Sequence, residues 1–312
     1  KYLKKKQNRK RDLQRRLTEM ESNKNVAGHI AAAFTIFIWG TTFISTKVLL
    51  RVFDPVEILF FRFLIGYFAL WLAAPRFLKV KEKGQEIYFV AAGLCGVTLY
   101  FLMENFALTF TLAANVGVII SIAPFFTALF NWLIFKGEKP GIRFILGFII
   151  AMAGIYLISF RGDHSVSLNP TGDFLSVGAA IVWAAYSILT KKISGFGYGT
   201  VQTTRRIFFY GILLMIPALF FFNFRLGLDR FMDMKNLLNI LFLGFGASAL
   251  CFVTWNFALK RLGSVKTSAY IYAVPVITVV TSVLILNEKV TAEAVCGIGL
   301  TLAGLVMSEG RF

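Results

Sequence analysis

Histidine and cysteine are scarce in this 312-residue sequence, with two and three copies respectively. His29 and His164 are too few and too far apart for a zinc site. Cys95, Cys251 and Cys296 all lie inside apolar runs without CxxC spacing, and read as small buried hydrophobes. No disulfide framework, metal or cofactor is therefore expected. Charge is sparse too: 16% of residues are charged, 57% are hydrophobic, and mean hydropathy is +0.70. A soluble domain of this length would expose too much apolar surface, so the solvent of this chain is mostly lipid. The net charge of +17 raises nucleic acid as a partner, but its placement argues against one. Ten Lys and Arg fall within the first 25 residues, and most others punctuate gaps between apolar runs. Catalytic constellations are missing as well: neither paired carboxylates, HExxH nor a nucleophile motif occurs at membrane depth, so no enzymatic activity is expected.

What is present is a series of ten apolar segments, each near the ~20 residues that a bilayer-spanning helix requires. They fall near 27–47, 55–74, 86–106, 112–135, 141–160, 172–190, 201–222, 237–258, 266–286 and 292–309. Backbone amides in hydrocarbon must bond internally, which predicts an all-α integral membrane protein; the short alternating strands of a barrel are absent. Residues 1–25 form a basic cytosolic tail, with Leu13, Leu17 and Met20 at helical spacing among Arg11, Arg15 and Arg16. That tail either fixes topology or lies as an amphipathic helix on anionic lipid. No signal peptide is expected, because the first apolar run is long and lacks a small-residue cleavage site.

The chain repeats itself. Asn105-Phe106-Ala107-Leu108 returns as Asn256-Phe257-Ala258-Leu259 and Pro124 as Pro275, both at an offset of 151. Glu138-Lys139 and Ala153-Gly154 return at 150, while Trp39, Lys47 and Arg62 return as Trp183, Lys191 and Arg206 at 144. One five-helix unit is thus used twice, over 26–161 and 170–309. With the tail cytosolic, 23 Lys and Arg fall on the cytosolic side and six on the other, so both termini are expected inside. An odd number of helices per unit inverts the second copy against the first, an arrangement suited to exposing one central site to either side in turn.

Several residues stand out as candidates for that site. Glu104 lies in the third segment with Tyr100 one turn away. An ionised group at membrane depth costs roughly 2.5 kcal/mol or more, so it should face a watered cavity or a partner. Either it receives a substrate amine or carries a coupling proton, or it is an interfacial carboxylate. Trp39, Thr42 and Thr46 share one helix face, as do Trp183, Ser187 and Thr190; a Trp with two hydroxyls at matched places suits an amphipathic solute, and small hydroxyls also pack helices. Asn115, Ser121, Tyr270 and Tyr272 extend the candidate substrate-binding set. Pro124 and Pro275 sit inside the fourth and ninth segments, where each frees the carbonyl four residues earlier, on Ile120 and Ile271. They serve as helix breaks that gate or bind, or as kinks that shape packing. Asn105 and Asn256 read as interhelical hydrogen-bonding residues, and Arg62 and Arg206 as side chains that snorkel to opposite faces or form gating pairs with a carboxylate such as Glu57. Gly147, Gly154, Gly297 and Gly304 imply close helix packing, within the protomer or in a homodimer.

The two five-helix units, Ile38-Trp39-Gly40, Arg62, the Ala123-Pro124 and Val274-Pro275 breaks and the Gly137-Glu138-Lys139 turn together resemble the paired EamA-type domains of the drug/metabolite transporter superfamily. The resemblance covers roughly residues 30–309. It implies a ten-helix bacterial inner-membrane carrier with a central cavity lined largely by segments one, three, four, six, eight and nine. Similar members export amino acids and other metabolites, commonly by electrochemical or proton-linked exchange. Small multidrug relatives carry an essential glutamate in their first helix, which this chain lacks. Sugar-phosphate and nucleotide-sugar carriers use basic residues in the cavity, and segments four and nine have none at mid-helix. The expected partners are a small-molecule substrate, membrane lipid and, if coupling is proton-linked, protons.

Overall fold

The computed structural model describes residues 2–110, 113–159, 170–222, 224–277, 280 and 292–309. The described residues are helical wherever they are regular, with no strand among them. In chain order the helices are α1 (Tyr2–Leu49), α2 (Pro55–Ala73), α3 (Lys83–Phe110), α4 (Ala113–Ile120), α5 (Ala123–Phe135), α6 (Ile142–Ser159), α7 (Pro170–Ser194), α8 (Thr200–Phe221), α9 (Met234–Leu262), α10 (Ser264–Ala269) and α11 (Ala292–Glu309). Among the described residues six helices are long and apolar enough to cross a bilayer: α2, α3, α7, α8, α9 and the Asn25–Leu49 part of α1.

The fourth apolar segment is two helices rather than one kinked helix. The chain turns at Ser121-Ile122, where the Ile122 amide bonds Ile119 instead of the residue four back, and Pro124 opens α5. At a first helical turn the missing proline amide leaves no donor unsatisfied, so the break places Pro124 where it is least disruptive. In the ninth segment, Tyr270–Ala273 is 3₁₀-helical immediately ahead of Val274-Pro275. The part of this segment beyond 280 lies outside the described residues.

Two of the long helices are not uniformly α. In α3, Leu94–Leu99 is π-helical, and in α9 so is Phe242–Leu250. These stretches correspond at the 151-residue offset, and no residue pattern announces them. π-segments widen the helix and loosen its hydrogen-bond ladder, and they recur at functional sites.

The core lies between the helices of the first and second halves. Phe63 packs edge-on against Phe101, Phe208 and Phe252 at 5.0, 4.9 and 5.7 Å. At the periphery α6 and α11 pack backbone to backbone: a Cβ at Gly154 would stand 2.5 Å from the Thr301 amide, and one at Gly304 equally close to that of Ala151. Gly147 meets Ser308 while Gly154 meets Thr301, so the two helices run antiparallel. The small residues expected to pack helices are used within the chain.

Candidate functional site

The helices converge on a cavity of about 40 Å³ lined by Trp39, Thr42 and Phe43 of α1, Arg62 of α2, Tyr100, Phe101 and Glu104 of α3, Ile120 of α4, Trp183 of α7, and Ile271 and Val274. It is well below the roughly 300 Å³ of a typical ligand pocket. Segment two enters the lining through Arg62. Segment eight stays behind it, with Trp255 at 5.1 Å from Trp39 and Phe252 at 5.9 Å from Trp183.

Aromatic rings form most of the wall. Trp39 meets Trp183 edge to face at 5.2 Å, and Trp183 lies 4.7 Å from Tyr100. The Trp39 indole donates to the carbonyl of Ala247, in the π-segment of α9, at 3.0 Å. The Trp183 indole N–H is buried without an acceptor among the described residues. Ile120 and Ile271, each four residues before a proline, bring the two helix breaks to the cavity rim.

Two opposite charges face the same space. Glu104 is 5% exposed, has the Tyr100 hydroxyl beside it, and keeps Oε2 without a hydrogen-bond partner among the described residues. Arg62 is 2% exposed, its Nε donates to Ser248 Oγ at 3.0 Å, and its guanidinium lies 4.3 Å over the Phe101 ring. The expectation that Arg62 snorkels is overturned. Its side chain turns inward because Phe101, Ser248 and Glu104 offer it a polar and π-rich lining that lipid would not. Arg206, its counterpart at an offset of 144, instead pairs with Glu86 at 2.7 Å near the start of α3.

The sequence candidates divide accordingly. Trp39, Thr42, Tyr100, Glu104 and Trp183 share the cavity. Ser187 is buried outside its lining, and Ser121 bonds the Gly117 carbonyl. Tyr270 bonds His29 at 2.6 Å, and Tyr272 packs toward Phe148 of α6. The 3₁₀ turn explains the two tyrosines: at three residues per turn Ile271 and Val274 share a face, and that face looks into the cavity. The side chain of Asn115 lies outside the described residues. Asn105 and Asn256 bridge helices as expected, to the Pro55 carbonyl and to Thr204 and Tyr186.

A model of the EamA-like transporter family matches residues 26–160 and again 170–309. The chain belongs to this family. An uncharacterized transporter of Archaeoglobus fulgidus is 28% identical over 291 residues, covering 92% of this EamA-like chain and 99% of the relative. A "Probable amino-acid metabolite efflux pump" of Escherichia coli is 25% identical, over 89% and 93% of the two chains. A "Probable terminal-alkyne amino-acid exporter" of Streptantibioticus cattleyicolor is 24% identical, over 90% and 93%. One crystal structure superposes with a TM-score of 0.69 over 92% of this chain and 96% of that one; at 19% identity this is a likeness of fold. Family and apolar helices together make this EamA-like protein a multi-pass membrane protein of transporter ancestry.

Proposed function

We propose that this protein is a secondary carrier that exports amino acids or related small amphipathic solutes by alternating access around the central cavity. In this reading ten spans form two inverted five-helix repeats over 26–161 and 170–309, with the basic tail and both termini in the cytoplasm of a bacterial cell. The observation that carries it is Glu104, a carboxylate at membrane depth with one oxygen unpartnered, in a cavity walled by Trp39, Trp183 and Tyr100. Glu104 receives a substrate amine or carries a coupling proton, and Pro124 and Pro275 let the helix ends beside the cavity hinge. The antiparallel contact of α6 with α11 and the names of the amino-acid exporting relatives support the same reading.

The test is uptake of a mixed amino-acid pool into proteoliposomes under an imposed pH gradient, with wild type beside Glu104→Gln. Flux that the gradient drives and the variant loses by at least tenfold is the expected result. Full flux in the variant at every pH would remove Glu104 from the mechanism. A second reading, an uptake carrier or exchanger for anionic metabolites such as sugar phosphates, is favoured by the Arg62 guanidinium in the cavity. Accumulation in right-side-out rather than inside-out vesicles would select it.

A further inference from the structure

Two other carboxylates within apolar helices of this chain are closed by guanidinium groups. Glu57 meets Arg230 at 2.7 Å and Glu86 meets Arg206 at 2.7 Å. Arg62 and Glu104, more deeply enclosed than the Glu86 pair, are not closed: no salt bridge joins them within 4.0 Å although both line one small cavity. Among the described residues the only hydrogen bond of the Arg62 side chain is that of Nε, which leaves the two terminal nitrogens to the cavity. Glu104 Oε2 and the Trp183 indole N–H complete a set of polar groups with nothing to bond among the described residues. Leaving two buried opposite charges apart is costly unless something else satisfies them.

We infer that Arg62 and Glu104 are a split ion pair, which a zwitterion closes by placing its carboxylate on the terminal nitrogens of Arg62 and its ammonium on Glu104. The inference rests on the reading of this cavity as the transport site, and narrows its ligand to free α-amino acids. A simple cation would satisfy Glu104 and leave Arg62 bare; a simple anion would do the reverse. Only a solute with both charges, a few ångströms apart, satisfies both and keeps the loaded cavity neutral. The paired guanidinium nitrogens match a carboxylate in two parallel hydrogen bonds, and the indoles of Trp39 and Trp183 offer π faces to the ammonium. The apolar remainder of the solute meets Phe43, Ile120, Ile271 and Val274 as the walls part.

Three probe pools decide this on the wild-type protein in proteoliposomes: the proteinogenic amino acids, their α-methyl esters, and their N-acetyl derivatives. Binding is read by tryptophan fluorescence and transport by counterflow. Each blocked pool should bind at least tenfold more weakly than the parent pool. In Arg62→Gln the difference between acids and esters should shrink to under twofold, and in Glu104→Gln the same should happen to amines and N-acetyl derivatives. Because either single variant leaves a bare buried charge, Arg62→Gln/Glu104→Gln serves as a neutral control that folds and discriminates among none of the pools. Equal binding of either blocked pool by wild type, or no binding of the parent pool, overturns the inference. Parent-pool binding that passes these tests without counterflow would keep the zwitterion site and remove the carrier reading. Counterflow indifferent to both blocking groups would keep the carrier and remove the split pair.

Discussion

The two halves of the chain agree in their frame and differ in their cavity. Lys47 caps the carbonyl of Leu108 at 2.8 Å, and its counterpart Lys191 caps Leu259, the counterpart of Leu108, at 3.4 Å. The π-segments, the proline-bounded breaks and the two tryptophans are matched in the same way. The charges are not. Arg62 faces the cavity while Arg206 lies near an end of α8 with Glu86, and the position of Glu104 is taken in the second half by Trp255, fully buried behind the wall. Duplication supplied a frame whose parts must stay alike to pack. Both charged residues that line the cavity, Arg62 and Glu104, come from the first half, and the second half contributes Trp183, Ile271 and Val274 to its wall.

Perturbing matched and unmatched positions separates these roles. The largest effect is expected where the frame is tightest. Gly154→Leu and Gly304→Leu should each abolish monodisperse protein in detergent, because a side chain at either place meets backbone; size-exclusion chromatography reads this, and the loss should be the same in both halves. Next come the two ion pairs. Glu57 is fully buried and also accepts the Asp54 and Arg225 amides, so Glu57→Gln should cost about 3 kcal/mol in denaturant unfolding. Arg206→Gln opens a partly exposed pair and should cost about 1 kcal/mol or less. Transport should survive it, in contrast to Arg62→Gln, and Arg206→Gln losing flux as fully would erase the distinction between the two arginines. The smallest effect is at the lysine caps. Lys47→Met and Lys191→Met should each lower stability by about 0.5 kcal/mol, with Lys47 the larger for its shorter bond; thermal shift measures both.

Much of the frame was legible from residues alone. Apolar length located the six long apolar helices among the described residues, because a bilayer fixes how many residues cross it. The repeat was visible in matched residues such as Asn105 and Asn256, and each of these bridges two helices. Half of the candidate site was legible as well. Glu104, Tyr100, Trp39, Thr42 and Trp183 are residue types whose presence inside an apolar helix asks for a polar or aromatic lining, and the cavity gathers them.

The remainder depended on neighbours that sequence spacing does not supply. An arginine seven residues into α2 has the same local sequence whether it reaches out to the interface or inward, and only the arrival of Ser248 and Phe101 from distant helices decides for Arg62. Tyr270 and Tyr272 fall off the cavity because a 3₁₀ turn changes the angular step between residues, a choice made by packing ahead of Pro275. The π-segments carry no residue signature at all, yet one of them delivers the Ala247 carbonyl to Trp39 and Ser248 to Arg62. Solvent and chain periodicity act on each residue locally, so the sequence by itself determined membrane class, the places of the six long apolar helices among the described residues, and the two-unit organisation. Which charges meet which partners is set largely by contacts between residues on different helices, such as Arg62 with Phe101 and Ser248 and Arg206 with Glu86, and that only the tertiary structure decided.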